Sequence, residues 1–224
     1  MKRAATALVV LCLIFVCTFP VKAEPNVYHK HVNGEMKIAL TFDDGPHPKT
    51  TPKILDILSK YGIHATFFEI GENIGYYTDV SRRVLREGHE IGNHTFSHPS
   101  LTGKNGCDLT GEMVKCDQTI YNLLGYKTNL FRPPEGVLDN NIRAAANDMG
   151  YRVILWSVDT RDWAKTPANQ IVSGILDSVQ PGSIILMHDY TGKGCHTVEA
   201  LDAVIPKLLD RGYSIVTVSE LLGS

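Results

Sequence analysis

Beyond residue 35 the chain alternates short runs of β-branched, aliphatic and aromatic residues with longer stretches whose apolar positions recur every three or four residues. The short runs predict strands at 37–42, 65–70, 89–93, 129–132, 153–158, 183–188 and 214–218. The longer ones predict helices at 51–61, 77–87, 109–124, 140–149, 167–179 and 198–210, several of which stop at a glycine such as Gly62, Gly88, Gly125 or Gly212. An unbroken βα alternation implies parallel strands joined by crossovers, with helices packed outside. About seven units fit, one short of a regular eight-stranded barrel, with no internal repeat, low-complexity segment or linker between them. A single barrel-like domain over 36–222 is the simplest architecture, and residues 24–35 read as a short polar lead-in.

In such a fold the loops after the strands gather on one face, where groups from distant sequence positions converge. The chemically unusual residues do follow predicted strands: Asp43-Asp44, His94 to His98, Arg132 to Gly136, Asp159 to Trp163, and His188. Among these, Thr41-Phe42-Asp43-Asp44-Gly45-Pro46 sets two carboxylates at the end of an apolar strand. By itself that is also a common turn sequence. His94-Thr95-Phe96-Ser97-His98-Pro99 holds two imidazoles four residues apart, which reach one ion if the segment makes a helical turn. Two His nitrogens and one carboxylate oxygen form a facial triad suited to zinc and to other divalent transition metals.

Composition narrows the setting. The 224 residues are 43% hydrophobic, with 19 Gly and 11 Pro, as in ordinary globular proteins. Lys2 and Arg3 precede an apolar run over 4–19 and then Val21-Lys22-Ala23, which reads as a cleaved signal peptide over 1–23 and hence a secreted or envelope-associated protein. An uncleaved anchor fits less well, because the run is shorter than the ~20 residues a spanning helix needs. Lipid attachment at Cys17 is disfavoured by Val16. Cleavage after Ala23 removes Lys2, Arg3 and Lys22 but no acid and moves the formal charge from -2 to -5. A mildly acidic surface argues against nucleic acid as a partner, and nothing implies an obligate protein partner. Cys107, Cys116 and Cys195 remain, an odd number for an exported chain, consistent with one disulfide and one free thiol. Cys107–Cys195 is the weakly favoured pair, since both lie in loops expected on the same face, and Cys107–Cys116 is the alternative.

The motifs together resemble the NodB homology domain of polysaccharide deacetylases, carbohydrate esterase family 4. Its five ordered motifs are matched by 41–46, 94–99, 132–136, 159–163 and 186–188, so the resemblance spans about 36–222. It implies a distorted (β/α)7 barrel and hydrolysis of N-acetyl groups on peptidoglycan or chitin-type oligosaccharides. By the same resemblance Asp43 is the base, His188 the acid, and Asp44, His94 and His98 the ligands of one divalent ion, zinc first and cobalt or another transition metal as alternatives. Arg132 would keep Asp43 charged and aimed, and Asp162 would favour the imidazolium of His188. Pro134, Glu135, Trp163 and Leu186 would contact substrate, the last two around the acetyl methyl. An amide needs all of these groups: a polarised carbonyl, a water stripped of a proton, and an acid to protonate the departing amine.

One position departs from the family. The third motif usually runs Arg-Pro-Pro-Tyr-Gly, and here it is Arg132-Pro133-Pro134-Glu135-Gly136. The backbone N–H that the family uses for the oxyanion survives a side-chain change. What Glu135 puts in question is substrate preference, because a carboxylate repels anionic glycans and can grip an amino or hydroxyl group. His47, His64, His89 and His196 read as loop or surface histidines and Trp156 as core. The contrasting functions are an O-acetyl-xylan esterase and an inactive glycan-binding barrel. A serine hydrolase lacks a Gly-flanked nucleophile elbow.

Overall fold

The protein was analysed as a computed structural model that describes residues 27–31, 34–101, 108–190 and 195–223. The signal-peptide reading falls outside these residues. In chain order the elements are β1 (Val27–Tyr28), β2 (Lys37–Asp43), α1 (Thr51–Tyr61), β3 (Thr66–Glu69), α2 (Gly71–Tyr76), α3 (Thr78–Arg86), β4 (Glu90–Asn93) and α4 (Leu109–Leu124). There follow β5 (Leu130–Phe131), α5 (Asn140–Asp148), β6 (Arg152–Ile154), β7 (Val158–Asp159), α6 (Ala168–Ser178), β8 (Ile184–His188), α7 (Thr197–Asp210), β9 (Ser214–Val216) and α8 (Val218–Leu221).

All strand ladders among the described residues are parallel and belong to one sheet in the order β1-β6-β5-β4-β3-β2-β8-β7, with β9 against the start of β2. Strand β2 is central, and Ile38 to Asp43 are buried on both faces, as a largely apolar strand in a parallel sheet demands, with Thr41 and Asp43 its buried polar residues. The curled sheet with outer helices is the expected distorted (β/α)7 barrel. Helix α7 shows why the helices pack as they do: Thr197, Ala200, Leu201, Val204, Ile205 and Leu208 make one stripe, turned toward α1 and α6. Helix α1 begins with Pro52 in its first turn and ends at left-handed Gly62, so its sequence sets both limits.

The predicted strand 153–158 is instead two, β6 and β7, separated by residues 155–157. These pieces stand toward opposite ends of the strand order, so the chain itself joins the two ends of the sheet. The carbonyls freed by the break are satisfied from inside: Arg132 Nε donates to Ile154 O at 2.9 Å and Nη2 to Leu155 O at 3.1 Å.

Other boundaries move for local reasons. The predicted helix 77–87 is α3, and it is preceded by a further helix, α2, that starts at Gly71, where low helix propensity hid it. The lead-in holds β1, whose Val27 and Tyr28 pair with Val153 and Ile154 of β6. The last strand stops at Val216, because the Thr217 hydroxyl caps α8 by accepting from Glu220 N–H. Cys116 and Cys195 stand as free thiols among the described residues, and both expected disulfide pairings involve Cys107, which lies outside them. His89 is buried rather than a surface histidine, with Nδ1 accepting from Ala65 N–H at 3.2 Å.

Candidate active site

Parallel register sets the site's frame. Asp43 at the end of β2 is paired directly with His188 at the end of β8, and Glu69 with Asn93 across β3 and β4. The loops beyond these ends enclose a cleft of about 350 Å³ lined by Asp43, Asp44, His94, His98, Glu135, Gly136, Trp156, Asp159, Trp163, Leu186 and His188. Every non-glycine residue with left-handed backbone among the described ones follows β2, β4, β5 or β7: Asp44, Thr95, His98, Glu135, Arg161 and Lys165. Such conformations cost on the order of 1 kcal/mol or more each and concentrate where function fixes the chain.

On one side of the cleft, Asp43 is 4% exposed and its Oδ1 accepts from Arg132 Nη1 at 2.6 Å. Arg132 is fully buried, also donates to Thr41 Oγ1 at 2.9 Å, and lies 4.1 Å from the Phe68 ring centroid. With its two bonds into the β6–β7 break, the guanidinium is immobilised and aims one carboxylate oxygen, leaving Asp43 Oδ2 toward His94 Nε2 at 3.8 Å.

Beside it, Asp44 Oδ1 lies 3.5 Å from His94 Nε2 and 3.4 Å from His98 Nε2, and ligand atoms of all three lie within 4.8 Å of one another. The helical turn expected to bring the two imidazoles together is absent. Left-handed Thr95 and His98 fold the loop instead, with the His98 N–H donating to Thr95 Oγ1 at 3.1 Å. The trio fits a divalent cation. Asp44 Oδ1 is buried with no hydrogen-bond partner, an orphaned acceptor that a cation satisfies. His94 Nδ1 bonds the Arg132 carbonyl at 2.7 Å, which commits that nitrogen as donor and frees Nε2 as ligand. Burial disfavours charge on Asp44, but the neighbouring imidazoles, His94 foremost, outweigh it and hold the carboxyl below its ordinary range. Burial, reinforced by the charge of His94, pushes His98 down toward the neutral form that can ligate.

Opposite, His188 Nδ1 meets Asp162 Oδ1 at 2.7 Å. Asp162 is fully buried, and both its oxygens are occupied: Oδ1 also accepts from Trp163 N–H, and Oδ2 from His188 N–H at 2.8 Å and the Thr197 hydroxyl at 2.6 Å. Burial alone would lower the His188 pKa, but the bond to Asp162 and the charges of Asp162, Asp43 and Asp44 raise it to about 9. The imidazole therefore stands ready as a proton donor near neutral pH.

Of the sequence-derived substrate contacts, Glu135, Trp163 and Leu186 line the cleft, whereas Pro134 is buried and does not. Trp156, expected in the core, is half-buried and lines the cleft, with Arg132 5.7 Å beneath its ring. Sequence reasoning also missed Thr197, which anchors Asp162 from 35 residues away and leaves no local signal. Trp156 did carry one, since it falls three residues before Asp159 at a strand end.

Comparison with known proteins gives consistent relatives. The family profile described as polysaccharide deacetylase matches residues 30–154, more than half of the chain. A peptidoglycan-N-acetylglucosamine deacetylase of Bacillus cereus is 39% identical over 186 residues, covering 83% of this chain and 68% of the relative. A chitooligosaccharide deacetylase of Azorhizobium caulinodans is 36% identical over 193 residues, covering 81% of this chain and 92% of the relative. The crystal structure of a peptidoglycan N-acetylglucosamine deacetylase bound to 4-naphthalen-1-yl-N-oxidanyl-benzamide aligns with a TM-score of 0.84 at 36% identity, covering 88% of this chain and 92% of that one.

Proposed function

Because the chain belongs to the polysaccharide deacetylase family, we propose that it hydrolyses N-acetyl groups on N-acetylglucosamine polymers of the peptidoglycan or chitin type, releasing acetate. The observation that carries this reading is the register pairing of Asp43 with His188, each backed by a buried opposite charge, beside a cation-fitting trio in one cleft.

In this reading Asp44, His94 and His98 hold one divalent ion, zinc on donor chemistry. Such an ion supplies Lewis-acid polarisation of the acetamide carbonyl and acidifies water. Asp43, aimed by Arg132, takes the proton from the attacking water at its free Oδ2. The Glu135 backbone N–H steadies the developing oxyanion. Leu186 and Trp163 receive the acetyl methyl and keep water from it. His188 has Nδ1 committed to Asp162, so Nε2 delivers the proton to the departing nitrogen. The amine then leaves neutral, acetate forms, and no acyl-enzyme is needed.

Residues 1–23 read as an export signal, which suits a substrate outside the cell membrane. Acetate release should be measured on peptidoglycan, chitin oligomers and acetyl-xylan, before and after chelation and metal add-back. Release from the N-acetylglucosamine substrates, lost on chelation and restored by a divalent ion, is expected. Preference for acetyl-xylan would replace the amidase reading with the esterase one, and silence on all three would leave a glycan-binding barrel.

A further inference from the structure

We infer that Glu135 and Asp159 make the cleft selective for a cationic neighbour: they hold the free ammonium of a glucosamine unit beside the N-acetyl unit being cleaved. Partly deacetylated strands are then better substrates than fully acetylated ones. This rests on the deacetylase reading above and specifies the substrate within it.

Both carboxylates line the cleft and both are exposed. Their positions are fixed by different means. Glu135 has left-handed backbone (φ 59°), and the next residue, Gly136 (φ 67°), packs so closely on the Trp156 ring that a Cβ there would collide with it. The backbone of the turn is thereby held against the ring, with Glu135 at the cleft wall. Asp159 ends β7, and its Oδ1 accepts from Arg161 N–H at 2.8 Å.

Neither forms an ion pair among the described residues, and the nearby cations are engaged elsewhere. Arg132 is bound to Asp43, His188 to Asp162, and the Arg161 guanidinium lies 5.8 Å over the Trp163 ring. Two unneutralised carboxylates therefore share the cleft with two indole rings, those of Trp156 and Trp163, which suit the apolar faces of sugar rings. A ligand that matches these walls is a pyranose carrying positive charge.

The reaction makes that ligand. Water adds its oxygen to the acetyl carbon, the C–N bond breaks, the nitrogen takes the proton, and the strand keeps an amine that takes up a proton near neutral pH while acetate departs. Each turnover thus converts a neutral unit into the cation that the two carboxylates favour, so cleavage of adjacent units becomes progressively easier. The same charges disfavour strands bearing carboxylate substituents.

The test compares chitin tetramers with tetramers that carry one glucosamine unit, by acetate release and by calorimetric binding to the metal-loaded protein. Exposed ion pairs yield up to about fivefold each, so wild-type should favour the mixed tetramer by about fivefold in kcat/KM and in affinity, less in high salt. Glu135→Gln should bring both ratios toward one, Asp159→Asn should act alike, and Asp79→Asn, on an exposed helix, should keep them. Equal affinity of wild-type for both tetramers, or a preference that survives Glu135→Gln and Asp159→Asn, overturns the inference. Failure of wild-type to release acetate from the fully acetylated tetramer strikes the deacetylase reading instead, while the affinity ratio still decides the charge preference.

Discussion

The two sides of the cleft use the same device in opposite senses. At the end of β2 a buried cation, Arg132, stands behind a carboxylate, whereas at the end of β8 a buried carboxylate, Asp162, stands behind an imidazole. They differ in how deeply each is built into the fold. Arg132 also closes the sheet by bonding the Ile154 and Leu155 carbonyls and stacks on Phe68. Among the described residues Asp162 bonds only its own turn, the end of β8 and Thr197. The side of the proposed base is thus part of the sheet's closure, and the side of the proposed acid is an attachment to its rim.

Asp43→Asn removes the proposed base and should lower kcat by about 10³-fold or more. Because the donor trio is untouched, metal content measured on the purified variant should stay near one per chain, and a matching loss of metal would break the division of roles. Arg132→Met should disturb both fold and chemistry. It strands a buried Asp43 and the Ile154 and Leu155 carbonyls at the β6–β7 break, and should cost about 3–5 kcal/mol in denaturant unfolding. A loss under about 1 kcal/mol would erase the contrast between the sides.

Asp162→Asn should be gentler on stability and act on the proton donor, with kcat down about 10²-fold. It also removes the main cause of the raised His188 pKa of about 9, so the alkaline limb of the kcat/KM profile should move to lower pH. An unmoved limb would show that another group sets it.

The smallest effect concerns buried acids behind the base side. Burial raises Glu69 to about 8 and Asp189 to about 7. The folded state keeps these protons while the unfolded chain gives them up near its ordinary carboxylate values. Stability from these groups is therefore full below about pH 4 and is lost as pH rises toward 7 to 8. Glu69→Gln should flatten that fall, by on the order of 1 kcal/mol or more, in melts recorded between pH 5 and 8. A steeper fall in the variant would refute the assignment.

Much of this was readable in the sequence because it is written locally. The limits of α1 follow from Pro52 and Gly62, those of α4 from Asp108 and Gly125, and burial of β2 from its largely apolar sequence. The site residues announced themselves by falling after strands. The errors arose where distant groups decide local form. The break at 155–157 looks like continuous strand until Arg132 supplies its missing donors, and the two histidines at helical spacing are joined by left-handed residues whose cost only the assembled site sustains.

The sequence by itself determined the alternation of strands and helices, the parallel barrel class and the roster of reactive side chains, because periodicity, caps and turn residues act over a few positions. Only the tertiary structure decided which of them face one another. It set Asp43 beside His188 through strand register, gave Asp162 its Thr197 anchor, left Asp44 Oδ1 without a partner and turned Trp156 into the cleft. These are contacts between residues far apart in the chain, fixed by how buried surfaces and charges satisfy one another, and no local pattern records them.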